Sequence, residues 1–295
     1  MFKSGFVAVV GKPNVGKSSL INALVGEKVA IVSPKPQTTR NRILGVLNNK
    51  DYQIAFVDTP GEYHAKSKLA EFMGKSIKEA TKGVDIILIV LDATKINQTD
   101  YEIVESYKNS KAPIIVAINK IDKAKYEDVY PKLAKLNEYK FIKDFVSVSA
   151  KDKKNLDEIT SKILDNLNEG EPLFDSETFT DKSVRFMASE IIREKVLLFV
   201  QEEIPHFVGV EILTFNEDKN KVKICADIIC EKDSHKQIII GKGGAMIKKI
   251  GTYARKDIEQ LVQKKVFLEL FVKTREGWQE DRQTLNNLGY ADSDI

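Results

Sequence analysis

The chain has 295 residues, which at roughly 150 residues per domain predicts two domains. A content of 42% hydrophobic and 30% charged residues excludes global disorder, and no apolar run reaches the length of a transmembrane helix. The net charge of +3 is mild, and two cysteines, Cys225 and Cys230, five apart in a strand-like run, do not make a disulfide scaffold. His64, His206 and His235 are scattered and form no metal-ligand pattern. The first five residues lead straight into a strand-like run without a signal-peptide pattern, so a cytoplasmic chain is expected.

In chain order, Phe6–Val10 is an apolar run ending at a glycine, and Lys17–Val25 has helical spacing. Strand-like runs follow at Tyr52–Val57, Val84–Leu91, Pro113–Ile118 and Phe145–Ser149. They alternate with helical patterns at Leu69–Thr81, Asp100–Ser110 and Asn155–Leu167. Continuous apolar strands separated by helices predict an α/β domain with a doubly wound, mostly parallel sheet over residues 1–170. The rhythm breaks in a polar stretch, read as a linker over 171–182. Beyond it, Ser183–Gln201 is helical, and Val208–Phe215 and Lys221–Ile229 form a hairpin pattern. A Gly-rich turn at 241–244 opens another helix, and Val266–Val272 is a strand, so residues 183–295 read as a small α+β domain.

Charge is unevenly placed. Residues 1–170 carry a net +6 and residues 171–295 a net −3, yet residues 236–265 alone hold eight basic and two acidic residues. A basic segment concentrated on an acidic domain points to a polyanionic partner.

Gly11-Lys12-Pro13-Asn14-Val15-Gly16-Lys17-Ser18, followed by Ser19, fits the phosphate-binding pattern G-x-x-x-x-G-K-S/T between a strand and a helix. Glycines let backbone N–H groups face phosphates, Lys17 reaches the β- and γ-phosphates, and Ser18 ligates Mg²⁺. Asp58-Thr59-Pro60-Gly61 ends the next strand, where Asp58 can hold Mg²⁺ through a water and the Gly61 N–H can sense a γ-phosphate. Asn119-Lys120-Ile121-Asp122 ends another, and the Asp122 carboxylate matches the paired N–H donors of guanine, which adenine lacks. Ser149-Ala150-Lys151 can bring a backbone N–H to the guanine O6. All these motifs sit at strand C-termini, where open α/β sheets bind ligands.

Together they resemble the nucleotide-binding motifs of translation-factor-type GTPases. By that resemblance Thr39 in Pro36-Gln37-Thr38-Thr39-Arg40 is the switch residue that ligates Mg²⁺ in the triphosphate state, with Thr38 the alternative. Catalytic roles fall to Lys17, Thr39 and Gly61, with slow intrinsic turnover expected. Glu62 stands where many GTPases carry a water-positioning glutamine and is expected to turn away from the phosphate. Asn14 resembles the asparagine of GTPases that use K⁺ as a fixed charge, which makes K⁺ a candidate cofactor beside GTP/GDP and Mg²⁺.

Ile240-Gly241-Lys242-Gly243-Gly244 looks like the GXXG loop of a type II KH domain, with Lys248, Lys249 and Arg255 just downstream as RNA contacts and Lys256 adding to the basic run. GTPase motifs followed by a KH domain resemble the Era family of bacterial ribosome-assembly GTPases over essentially the whole chain. Glu190-Ile191-Ile192-Arg193-Glu194-Lys195, Trp278 and Leu288-Gly289-Tyr290 support the likeness. It implies a GTPase that binds the 3′ end of 16S rRNA, a role in 30S subunit maturation, a monomeric state and peripheral contact with the inner face of the cell membrane. Competing readings are a P-loop kinase or ATPase, against which Asn119 and Asp122 argue, and a membrane-signalling GTPase whose basic segment meets lipid head groups.

Overall fold

The computed structural model describes residues 1–61, 67–201 and 204–290. Strands β1 (Lys3–Val10), β2 (Ile43–Asn48), β3 (Tyr52–Asp58), β4 (Ile86–Asp92), β5 (Ile114–Asn119) and β6 (Ile142–Ser147) form one sheet in the order β2-β3-β1-β4-β5-β6. All neighbours run parallel except β2 and β3, which are antiparallel. Helices α1 (Lys17–Val25), α2 (Lys68–Ala80), α3 (Gln98–Ser106), α4 (Tyr126–Leu136) and α5 (Leu156–Asn166) are the crossovers. The central strands are buried on both sides, which is why β4 reads as unbroken isoleucine, leucine and valine. One core layer joins Val7, Val9 and Leu88 to α1 and α5, and the other joins Ile87, Ile89 and Val116 to α3. The doubly wound reading therefore holds.

Two elements of this sheet differ from expectation. The sequence reading contains no strand over 43–48, and it places the last strand at 145–149 rather than 142–147. β2 stands at the edge, and residues 171–182 lie along it rather than bridging open space. The Val46 N–H donates to the Phe179 carbonyl at 2.9 Å, and the Leu44 N–H donates to Asp181 Oδ1 at 3.0 Å. Gln53 fixes the start of the same segment: its Oε1 accepts from Leu173 and Phe174 N–H, and its Nε2 donates to the Phe174 carbonyl.

The second domain begins with α6 (Val184–Phe199), continues through β7 (Val208–Glu217) and β8 (Lys221–Cys230), then α7 (Asp233–Ile240), α8 (Ala245–Val262) and β9 (Lys265–Thr274), and ends near α9 (Arg282–Asn287). β7 and β8 form the expected hairpin, and β9 runs parallel to β8. Alternation in β8 sends Val222, Ile224, Ala226, Ile228 and Cys230 into the helix-covered core, while Cys225, on the other face, is only half-buried.

The two domains share a small core. Leu69, Phe72 and Met73 of α2 pack with Ile229, Trp278, Leu285, Leu288 and Tyr290. Trp278 is fully buried, its indole N–H donating to the Phe207 carbonyl. Arg40 reaches across from the first domain and donates to the carbonyls of Val208 at 2.7 Å and His206 at 2.9 Å.

Candidate functional site

The phosphate-binding loop owes its shape to two glycines. Gly11 has φ 140°, and a Cβ there would stand 2.4 Å from the Val90 carbonyl oxygen. Gly16 has φ 98°, and a Cβ there would meet the Asn119 amide nitrogen at 2.3 Å. α1 starts directly after it, with no side chain capping its first turn. The free N–H groups and the helix dipole therefore face the cleft. That cleft is lined by Pro13, Asn14, Gly16–Ser19, Ile31–Ser33, Gln37–Thr39 and Gly61. Gly61 lies against Pro13, which a Cβ would approach to 2.7 Å, so the loop after β3 touches the phosphate loop through backbone.

Lys17 is buried, and its ammonium donates to the Gly11 and Lys12 carbonyls at 2.9 and 3.0 Å. Beside it three oxygen groups meet. Ser18 Oγ donates to Asp58 Oδ2 at 2.6 Å, Thr39 Oγ1 donates to the same oxygen at 3.2 Å, and the two hydroxyls are 2.8 Å apart. Burial pushes the Asp58 carboxyl above the ordinary range, with Lys17, Ser18 and Thr39 pulling the other way. Its Oδ1 is buried with no hydrogen-bond partner. An all-oxygen set around a buried carboxylate with one unpartnered oxygen fits Mg²⁺, a hard cation that takes few protein ligands. Thr38 turns elsewhere, to Ser33 and the Lys35 carbonyl, so of the two threonines Thr39 joins the cluster.

Not every residue of the motifs points into the cleft. Lys12 leaves it for Asp100 and Asn97 at the start of α3. Val15 is core, and Thr59 anchors β3 to β1 through the Val9 carbonyl. Asn119 spends all its polar atoms on protein: Nδ2 donates to the Val15 carbonyl, and Oδ1 accepts from the N–H groups of Lys120 and Ala150. It thus ties the phosphate loop to the loops after β5 and β6; of the N–H groups of Ser149-Ala150-Lys151, that of Ala150 donates to Asn119 at 3.1 Å. Asp122 is held by the Ser149 hydroxyl at 2.7 Å. Lys120, in left-handed backbone at φ 66°, donates to Asp92 Oδ2 at 2.7 Å and to the Asn14 carbonyl. Asp92, absent from the sequence reading, was legible as an acid at the C-terminal end of a buried strand. Asn14 Nδ2 donates to the Pro34 carbonyl of the switch loop at 2.9 Å. Glu62 lies outside the described residues.

A second concave surface lies between α8 and β9. Its volume is about 420 Å³, and Ile247, Lys248, Gly251, Thr252, Arg255, Phe267, Leu268 and Leu270 line it. The Gly-rich turn stands at the start of α8. Gly243 and Gly244 have φ 58° and 78°, and a Cβ on either would find no atom within 4 Å, so the backbone there is bare. Gly241 at φ 73° is tight against Met246. Lys242 is exposed, whereas Ile240 packs toward the core. Lys248 and Lys249, expected together as RNA contacts, stand in different surroundings. Helical phase puts Lys248, Thr252 and Arg255 on the groove, while Lys249 turns away and stands 4.3 Å over the Phe199 ring of α6. The groove's apolar wall, above all the exposed Phe267 on the edge strand, was missed; alternation within β9 was the available signal.

Comparison with known proteins places these features in context. A family model described as 50S ribosome-binding GTPase matches residues 6–120, and one described as KH domain matches residues 203–279. The chain is 47% identical to GTPase Era of Clostridioides difficile over 99% of this chain and 100% of that one. It is 44% identical to GTPase Era of Clostridium acetobutylicum over 98% of both. A crystal structure of Era in complex with MgGDPNP and nucleotides 1506–1542 of 16S ribosomal RNA superposes with a TM-score of 0.93 at 40% identity, covering 99% of this chain and all of that one. An Aquifex aeolicus Era variant bound to GDP and AlF4⁻ superposes equally well over 98% of this chain.

Proposed function

The chain belongs to the GTPase Era family of GTP-hydrolysing enzymes, and on that premise we propose that it is a GTP-controlled binder of the 3′ end of 16S rRNA that assists 30S subunit maturation in the cytoplasm. The observation that carries this reading is the meeting of Thr39, Ser18 and Asp58 in one chain with a bare-backboned GXXG groove.

GTP and water become GDP and phosphate. The N–H groups at the start of α1 and the Lys17 ammonium bind the β- and γ-phosphates, and Asp122 selects guanine through its paired N–H donors. Ser18 and Thr39 would hold Mg²⁺ directly and Asp58 through a water; the ion supplies charge neutralisation across the β- and γ-phosphates. A γ-phosphate would order Thr39 and the Gly61 N–H, and with Lys17 these would position the attacking water and the leaving group. Asn14, between the phosphate loop and Pro34, is the residue that would recruit K⁺. On the second domain Gly241–Gly244 would clamp an RNA backbone while unstacked bases enter the groove beside Phe267, with Lys248 and Arg255 at its rim.

Two measurements test this. A fluorescent GTP analogue is displaced by GTP or ATP with and without Mg²⁺, and the terminal 16S segment is compared with a scrambled RNA of equal length and with anionic vesicles. The expected result is displacement by GTP alone and selective binding of the native RNA. Equal displacement by ATP, or no preference between the RNAs, overturns the reading. Vesicle binding tighter than RNA binding would instead favour peripheral membrane signalling; among the described residues no helix is long and apolar enough to cross a membrane.

A further inference from the structure

The loop that carries Thr39 is held by the other domain. Arg193, near the middle of α6, is fully buried. Its guanidinium is locked by Glu190, with Nε donating to Oε1 at 2.7 Å and Nη2 to Oε2 at 2.6 Å. The remaining donors are aimed into the switch loop: Nη2 donates to the Thr38 carbonyl and Nη1 to the Gln37 carbonyl at 3.4 Å. On the other side of Thr39, Arg40 is anchored to the carbonyls of His206 and Val208. The loop's opening is held as well, because Glu194 Oε1 accepts the Val32 N–H at 2.9 Å and Oε2 accepts from Lys28 at 2.7 Å. Thr39 is thus flanked on one side by backbone that α6 grips and on the other by an arginine anchored where the chain enters β7, while its own hydroxyl faces Ser18 and Asp58.

We infer that Arg193, from the RNA-binding domain, is a positioning residue for the nucleotide switch: by holding the Gln37 and Thr38 carbonyls it presents Thr39 for the triphosphate state. The physical reason is geometric. A forked guanidinium with one edge fixed by a carboxylate can bind two successive carbonyls without itself being free to move. A planar clamp of this kind lowers the entropy cost of ordering the loop when a γ-phosphate arrives. GDP offers Thr39 no γ-phosphate partner, so the clamp contributes to GTP affinity and little to GDP affinity. α6 also packs along α8, the helix that the Gly-rich turn opens, and Lys195 joins Glu194 to Asp257 of α8. The residue that reads the switch therefore belongs to the framework of the RNA groove.

The inference rests on Thr39 being the switch threonine, and one experiment separates the two. Affinities for GDP and for a non-hydrolysable GTP analogue are measured with Mg²⁺ for wild type, Thr39→Ala, Arg193→Ala and the double variant. Arg193→Ala is expected to weaken the GTP analogue about tenfold while changing GDP less than about twofold, a coupling within the usual range. In the Thr39→Ala background the same substitution should add almost nothing, because Arg193 acts through Thr39. Equal weakening of both nucleotides, or full additivity with Thr39→Ala, overturns the inference and leaves Arg193 a purely structural residue. If Thr39→Ala does not itself weaken the GTP analogue relative to GDP, the switch assignment fails instead. Should Arg193→Ala not fold, Arg193→Lys takes its place in the cycle; it keeps the charge and loses the fork, so the same loss and the same non-additivity are required of it.

Discussion

Asp58 shows how function sets the cost of a residue. The carboxylate is buried among two hydroxyls with one oxygen unpartnered, and burial holds its pKa above the ordinary value of about 3.9. A raised carboxyl pKa means that the folded state binds the proton more tightly than the unfolded chain does. Its contribution to stability is greatest below the unfolded value and is lost as pH rises through the window up to the folded value. At neutral pH the ionised group therefore works against the nucleotide-free fold. Asp58→Asn is expected to raise the melting temperature of nucleotide-free protein at neutral pH, with the gain shrinking at acid pH, and to abolish the stabilisation by Mg²⁺ plus GTP analogue. Differential scanning fluorimetry with and without Mg²⁺ reads both. Asp122 presents the opposite case, a side chain positioned by Ser149 for a partner from outside. Asp122→Asn should weaken guanine nucleotides by about 2–4 kcal/mol, roughly 30- to 900-fold, and favour xanthine nucleotides instead. Unchanged GTP affinity in a direct titration would remove Asp122 from the base pocket. Side chains whose role is fixed by local pattern, such as Lys17 and Ser18, were legible in the sequence. Asn119 was legible only as a motif member, because its bonds to the loops of Val15 and Ala150 exist only once the sheet has formed.

Among the elements, α8 shows why proximity in the chain misleads. Lys248 and Lys249 are neighbours in sequence, yet one lines the groove and the other covers Phe199. Counting charge along the chain finds the basic segment, and only helical phase finds which of its residues line the groove. The turn ahead of α8 supplies a cleaner test. Gly243 has φ 58° and open space around its missing Cβ, so Gly243→Asp meets no atom and costs the fold only part of the roughly 1–2 kcal/mol that left-handed backbone imposes on side chains. It sets a negative charge where an RNA backbone approaches. RNA affinity in filter binding should collapse with GTP affinity and the circular dichroism spectrum unchanged; retained RNA binding would refute the groove assignment. β2 was illegible for a related reason. Its Ile43-Leu44-Gly45-Val46-Leu47-Asn48 run has no alternation, because one face packs on α1 and the other, through Leu44 and Val46, joins a core with Val57 and Ala80.

Across the whole molecule, both segments proposed to sense the nucleotide touch the second domain: the loop around Thr39 through Arg193, Glu194 and Arg40, and the helix after Gly61 through Leu69, Phe72 and Met73. An ordering of either segment by a γ-phosphate must then bias the surface it rests on. RNA is expected to bind the GTP-analogue state about 5- to 150-fold tighter than the GDP state, and RNA must tighten the GTP analogue by the same factor. Equal RNA affinity in the two states would leave two tethered modules without communication. The two-domain layout was legible because strand-helix alternation stops near residue 170; the joint between the domains was not, since it depends on single arginines meeting carbonyls from distant parts of the chain.

The segment over 171–182 serves both domains at once. It covers the β2 edge, satisfies Val46 and Leu44 backbone groups, and is pinned by Gln53, so it is at once the tether of the second domain and a missing margin of the first. Severed at residue 170, the first domain would expose that margin as an open strand edge, a template for pairing with other chains. The two halves are for that reason not interchangeable cassettes: a foreign RNA-binding domain could be grafted here only downstream of Asp181, with the host's own border left in place.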